Sequence, residues 1–248
     1  MKQTVYMGVD DTDVLGGPAG TGRVARGIAE HLENLGMGRT IGVIRFQLLL
    51  DPRIHYTSHN SAKCVEFEAK SPIQDLHYAG IRYLKENFQE GSDPGLCTCA
   101  AGQVPQEIVE HGKMAQEEFI NKGQATKLAS ETGILLSEIG GSGEGIIGAL
   151  AAVGLRASGN EGRYVQLRGI KDIKGLVTVK KLLQATDIAA VIDEIGKPVD
   201  SEEIIDSQDW IKPNVIGGRP ILRIRLKDSE NGHRIWETVE QKHKKQTA

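Results

Sequence analysis

Three carboxylates stand within four positions, Asp10, Asp11 and Asp13 around Thr12, directly after the apolar run Val5 to Val9. Such a run reads as a buried strand that delivers side chains to the edge of a cleft. Carboxylates this close repel one another at a cost of several kcal/mol at intermediate dielectric unless a cation sits among them. Magnesium suits that place, because hard divalent ions prefer carboxylate oxygens and take only one or two, leaving phosphates and water to complete the octahedron. All three aspartates are therefore candidate metal-binding and catalytic residues. The plainer alternative is a solvated acidic turn in which Asp13 caps the loop that follows.

Two glycine-rich loops add to this chemistry. Gly16-Gly17-Pro18-Ala19-Gly20-Thr21-Gly22 and Gly140-Gly141-Ser142-Gly143-Glu144-Gly145 each run into a helical pattern. Backbone N–H groups beside the positive end of a helix suit a phosphate. Neither loop is a Walker A motif, since no Gly-Lys-Ser/Thr follows, neither is a Rossmann fingerprint, and close helix packing also selects glycine. The candidate cofactor contacts are Gly17, Gly20, Gly22 and Arg23 in the first loop and Gly143, Gly145 and Gly148 at the second. Thr21 accepts a phosphoryl group if its hydroxyl faces a bound γ-phosphate, and is otherwise a helix N-cap. His59 and Asn60, in the polar stretch after Asp51, either orient a base or phosphate or are ordinary turn residues. Asp11-Thr12-Asp13 does not extend to the D-x-D-x-T pattern of aspartate-nucleophile phosphatases, because Leu15 stands where the threonine belongs. Cys64, Cys97 and Cys99 make neither a zinc pattern nor a disulfide framework, and no basic activator adjoins them.

These residues need elements to hold them. Val24, Ile28, Leu32 and Leu35 recur at helical spacing up to a C-cap at Gly36. Thr40 to Leu50 and Ala62 to Ala69 read as strands, and Ser71-Pro72 opens a helix whose face is Ile73, Leu76, Ile81, Leu84 and Phe88. Val104 to Thr132 reads as helices broken near Gly112 and Gly123, and Ile146 to Val153 as a short helix ended by Gly154. In the last third Tyr164 to Ile170 and Ile221 to Leu226 read as strands, and Val177 to Leu183 with Ile188 to Ile195 is mixed. A change of texture places a boundary near residue 155, giving regions 1–155 and 156–248. Arg234, Lys242, Lys244 and Lys245 lie in a stretch, 232–248, that reads as a basic helix.

Composition narrows the class. The chain has 248 residues, 39% hydrophobic and 25% charged, with a formal net charge of -3. These values exclude a disordered or collagenous chain and any global attraction to nucleic acid or anionic lipid. No apolar run approaches the ~20 residues of a membrane span, and the first residues lack the pattern of a secretory signal, so the expectation is a cytoplasmic protein without membrane partners.

Gly8-Val9-Asp10-Asp11-Thr12-Asp13 together with Gly145-Ile146-Ile147-Gly148-Ala149-Leu150-Ala151-Ala152-Val153-Gly154 resembles the catalytic region of the archaeal tRNA-isoleucine 2-agmatinylcytidine synthetases. The Pro52 to Asn60 loop and the Ser92-Asp93-Pro94-Gly95 turn resemble two further motifs of that family, in the same order. The resemblance implies a kinase-like domain paired with a ferredoxin-like portion, a mixed α/β (α+β) fold. It also implies an enzyme that uses ATP and Mg²⁺ to phosphorylate the C2 carbonyl oxygen of a cytidine, which an amine then displaces. By this carry-over Asp10, Asp11 and Asp13 hold metal and phosphates, Gly20 and Thr21 meet the γ-phosphate, and Gly143 to Gly148 line the nucleotide.

Departures are visible in the same motifs. The family's Gly-Met-Cys-Thr-Thr is here Gly17-Pro18-Ala19-Gly20-Thr21, so its autophosphorylated threonine falls on Gly20 and the neighbouring one on Thr21. Glu144 stands where the family tends to carry arginine. The cysteine pairs of the family's zinc ribbon have no counterpart in this sequence. The reading is an ATP- and Mg²⁺-dependent phosphotransferase or ligase of unspecified acceptor. Its alternatives are a tRNA cytidine-modifying enzyme using a separate tRNA-binding subunit and a nonenzymatic nucleotide-binding regulatory module.

Overall fold

A computed structural model describes residues 3–57, 59–227 and 234–239. The chain forms two compact units that divide between Gln166 and Leu167 rather than near residue 155.

The first unit begins β1 (Gln3–Asp10), α1 (Thr21–Asn34), β2 (Gly38–Gln47), β3 (Ser61–Ala69), α2 (Ile73–Asn87) and β4 (Gly95–Ala100). Its sheet has the order β4-β1-β3-β2, with every neighbouring pair antiparallel. Each helix thus joins two strands held apart by a third, the split βαβ pairing of a ferredoxin-like fold. A short 3₁₀ turn, α3 (Gln106–Glu117), α4 (Lys122–Thr132), β5 (Leu135–Glu138), α5 (Gly145–Ser158) and β6 (Arg163–Leu167) follow. β5 extends the sheet beside β4, and β6 extends it beside β2.

Strand alternation sorts the two faces. Val5, Met7 and Val9 join Val43, Val65 and Phe67 under α1 and α2, whose Val24, Ile28, Leu32, Leu76 and Leu84 complete a fully buried core. The opposite face is small: Gly8 lies between Cys64 and Cys97 on the neighbouring strands. There α5 comes so close that a Cβ on Gly8 would stand 1.9 Å from the carbonyl oxygen of Ala149. That approach brings the start of α5 to the end of β1, where the aspartates are.

Several glycines act in packing where the pattern suggests breaks. α3 runs unbroken through Gly112, whose missing Cβ lets α5 approach, since one would meet the Ala151 carbonyl oxygen at 2.9 Å. α5 runs through Gly154, which faces the Ile108 carbonyl oxygen, and ends instead at Gly159 with φ 74°. The break before α4 falls at Glu118–Asn121, where Asn121 and Gln124 form a reciprocal capping box, so Gly123 lies inside the helix. Pro72, not Ser71, is the N-cap of α2, and Leu35 is half exposed just past α1 rather than part of its buried face.

The second unit holds β7 (Leu176–Thr178), α6 (Val179–Ala185), β8 (Ala190–Ile192), β9 (Ile204–Asp206), β10 (Asn214–Ile216), β11 (Arg219–Lys227) and β12 (Ile235–Thr238). β11 is central, antiparallel to β10 and β12 and parallel to β8, while β9 links β12 to β7. The described part of 232–248 is therefore a strand and not a helix, because Ile235 to Thr238 pair with β11 and β9. Lys242, Lys244 and Lys245 lie outside the described residues.

Candidate functional site

β1 ends at Asp10, and Asp11 continues with φ 51°, a left-handed conformation uncommon for any residue but glycine. This turn separates the two carboxylates. Asp10 faces α5, where Gly148 has no side chain because a Cβ would lie 1.8 Å from Asp10 Oδ2. Burial pushes the Asp10 carboxyl up to about 6, against the lowering influence of Lys63 and of the Asp11 N–H. Burial, then repulsion from Asp10, Asp93 and Asp13, pushes Asp11 up to about 7. Two carboxyls that resist ionisation at one strand end are a place where a cation relieves strain.

Asp13 has a different task. Its Oδ1 accepts from both the Thr21 N–H (2.9 Å) and the Thr21 hydroxyl (2.6 Å), and its Oδ2 accepts from the Thr57 hydroxyl at 3.0 Å. It caps the first turn of α1 from across the loop and fastens the 51–60 segment to it. Thr21 is the first helical residue and Gly20 the N-cap, so Asp13 supplies the capping oxygen that the sequence pattern assigns to Thr21.

A cavity of about 350 Å³ opens at this strand end, within the range of small-molecule sites. Asp10, Asp11, Asp13, Gly20, Thr21, Gly22, His59, Asn60, Gly145 and Gly148 line it together. Gly17, Arg23 and Gly143 do not. A Cβ on Gly17 would meet the Gln89 amide, which accepts from the Val14 N–H at 3.3 Å and donates to the Ala19 carbonyl. Gln89 is thus a splint across the first glycine loop. Arg23 is exposed on the outer side of α1. Gly143 has φ 75° and packs on Glu138, whose carboxylate holds Lys122 at 2.7 Å.

The second loop also spends its N–H groups internally. The Gly145 N–H donates to the Asp93 carbonyl at 2.9 Å, those of Ile146 and Ile147 to Gly143 and Glu144, and that of Ser142 to the Asp93 carboxylate. The start of α5 is therefore a packed joint between the Ser92-Asp93-Pro94-Gly95 turn and the second glycine loop. Asn60 likewise uses its amide to donate to the Leu49 carbonyl at 2.7 Å.

Sequence reasoning missed the basic wall of the cavity. Arg45 on β2 and Lys63 on β3 both line it, and Lys63 is only 7% exposed. Burial pushes Lys63 down to about 8, and burial with the nearby Arg163 pushes Arg45 down to about 10. The available signal was a lysine on the core-facing parity of its strand, in step with Val65, Phe67 and Ala69. Tyr56, Phe119 and Ile147 form an apolar part of the lining, against which a nucleobase could lie.

Among the described residues no three His, Cys, Asp or Glu side chains gather into a metal cage. Asp10 and Asp11 fit a cation that takes one or two protein carboxylates and completes its shell with phosphate and water, the habit of Mg²⁺. Among the described residues no helix is long and apolar enough to cross a membrane.

The fold and site define a mixed α+β protein with a bipolar cavity at the end of its first strand. No family model matches the chain. It is 28% identical over 158 residues to the isoleucine-tRNA 2-agmatinylcytidine synthetase TiaS of Thermococcus sibiricus, covering 60% of this chain and 35% of that one. It matches the solved complex of TiaS with its isoleucine tRNA and ATP at 25% identity and a TM-score of 0.54, over 61% of this chain and 36% of that one. Apo TiaS, at 24% identity and a TM-score of 0.51, shares the fold. The resemblance to the catalytic region of the agmatinylcytidine synthetases thus holds in sequence and in fold, with the mixed α+β class it implies. The chain spans about a third of the length of these relatives.

Proposed function

We propose that the first unit binds ATP with Mg²⁺ and transfers its γ-phosphoryl group to an oxygen acceptor as a step in RNA modification. The observation that carries this reading is the pair of adjacent carboxyls, Asp10 and Asp11, lining a cavity edged by the first turn of α1. Phosphoryl transfer asks mainly for positioning and neutralised charge. Asp10 and Asp11 would hold the cation, which supplies charge compensation for the phosphates. Gly20 and Gly22 leave room beside the helix end. Tyr56 and Phe119 offer a surface for the base. In the transfer an acceptor oxygen forms a bond to the γ-phosphorus, the bond from that phosphorus to the bridging oxygen breaks, and ADP leaves with the electron pair.

The similarity to a 2-agmatinylcytidine synthetase supports a cytidine carbonyl oxygen as acceptor and an amine as the group that displaces phosphate. A tRNA substrate presented by a separate subunit is a second form of this reading. The Thr21 hydroxyl donates to Asp13 Oδ1 at 2.6 Å, the arrangement in which a carboxylate activates a hydroxyl, so transfer through Thr21 is a second route of this reading.

Calorimetric titration with a nonhydrolysable ATP analogue, with and without Mg²⁺, tests the site. The expected result is metal-dependent binding in the wild type that Asp11→Asn abolishes. Equal affinity in both proteins removes the metal site, and tight binding without turnover on any RNA or amine supports a regulatory nucleotide-binding module instead.

A further inference from the structure

Arg45 and Lys63 are direct register partners on β2 and β3, one step beyond the core pair Val43 and Val65. Their side chains share a face and line the same cavity, and Lys63 reaches the first turn of α1. There a Cβ on Gly22 would stand in ordinary contact, 3.6 Å, with both Lys63 Cε and the Arg26 guanidinium. Like charges opposed across an antiparallel pair destabilise a sheet, and buried cations need compensation.

Their hydrogen-bond partners are all neutral; the compensation Lys63 has comes at longer range from the Asp10 and Asp13 carboxylates. Lys63 Nζ donates to the carbonyl oxygen and the hydroxyl of Ser61 at 2.6 and 3.0 Å. Arg45 donates from Nε to the same hydroxyl at 3.2 Å and from Nη2 to Gln47 Oε1 at 3.0 Å. Among the described residues neither forms an ion pair with a carboxylate. Arg163 on the adjacent β6 adds a third cation nearby, and its Nε is buried without a hydrogen-bond partner. Both Lys63 and Arg45 keep N–H donors to spare, since an ammonium has three and a guanidinium five.

We propose that Arg45 and Lys63, beside the Gly22 turn of α1, form an anion subsite for the phosphoryl groups of a nucleotide polyphosphate, and that this subsite works without metal. The assignment deepens the nucleotide reading above and rests on it for the identity of the ligand. The carboxylates would then face the cation, and the β2–β3 wall would face the phosphates.

The test is titration with tripolyphosphate in EDTA, followed by calorimetry and thermal melting. The wild type binds and melts higher with the ligand. Arg45→Gln and Lys63→Gln each weaken binding by about tenfold or more, the worth of a charge-assisted hydrogen bond, and Lys63→Arg restores most of it. Arg45→Gln melts no lower than the wild type without ligand, because a repulsion is removed, whereas a merely structural arginine would lower the melt. Asp11→Asn keeps the metal-free binding while losing the magnesium-dependent part, so failure of the metal reading is separable from failure of this one. Absence of tripolyphosphate binding in the wild type, or undiminished binding in both glutamine variants, overturns the subsite. Binding of an oligouridylate but not of tripolyphosphate moves the ligand to an RNA backbone and overturns the nucleotide assignment.

Discussion

Asp11 bears two local costs at once, a left-handed backbone and a carboxyl raised from its ordinary 3.8 to about 7. Residues held this way persist where surrounding structure or function demands them. A carboxyl whose folded pKa is raised binds its proton more tightly in the folded chain. Its contribution to stability is therefore full below about pH 4 and is lost as pH rises through 7. Asparagine tolerates the left-handed turn and carries no charge. Asp11→Asn should accordingly melt higher than the wild type at pH 8, with the difference vanishing near pH 4, in parallel thermal melts. An unchanged difference across that range would show that Asp11 titrates normally. Gly148→Ala tests the neighbouring joint: its Cβ would collide with Asp10 Oδ2, so loss of nucleotide-analogue binding together with a lower melt is expected. At this scale Asp10 and Asp11 were legible as an acidic strand end because they are adjacent in the chain. Arg45 and Lys63 were not, because only strand pairing makes them neighbours.

Among the elements, α1 and its loop depend on contacts from far along the chain. Gln89, beyond α2, holds Val14 and Ala19 by its side-chain amide. Gln89→Ala should cost about 0.5–1.5 kcal/mol per lost hydrogen bond, the usual net worth of a bond that is only part-buried. It should also speed hydrogen exchange in residues 14–19 without affecting α5. α5 offers a test of sign. An alanine at an exposed helical glycine gains about 1 kcal/mol in propensity. At Gly154 the added Cβ would stand 1.9 Å from the Ile108 carbonyl oxygen, so Gly154→Ala is expected to lower the melting temperature. A rise would show that the approach of Ile108 is not what selects glycine there. Helix and strand positions were readable from periodicity, whereas the roles of Gly112 and Gly154 were not, since a glycine that breaks a helix and one that admits a neighbour look alike in one dimension.

Taken as a whole, the first unit is braced by a buried ion pair beneath α5. Arg156 bonds Glu66 through Nε and Nη2, at 3.1 and 2.8 Å, with both side chains under a tenth exposed. Removing one partner of such a pair costs about 3–5 kcal/mol, while replacing both by apolar groups often costs little. Arg156→Met should therefore destabilise strongly in denaturant melts, and Arg156→Met with Glu66→Met should recover most of the loss. Every residue lining the cavity lies before Gln166. Residues 1–166 expressed alone should consequently fold and bind the nucleotide analogue with the affinity of the full chain; a fragment that folds but does not bind would assign part of the site to the second unit.

Reading along the chain was enough for the acidic strand end, the two glycine loops, most helices and strands of the first unit and the resemblance that suggests its chemistry. These features are local, and short-range spacing encodes them. Three-dimensional packing was needed to show that Asp13 serves as a cap and that Gly17 and Gly143 pack against side chains rather than face the cavity. It was needed also to show that the second loop spends its N–H groups on Asp93 and its own carbonyls, and that two cations from different strands form the opposite wall. Each of these is a pairing between residues distant in the chain, set by strand register and by how closely α5 can approach a sheet face made of glycine and cysteine.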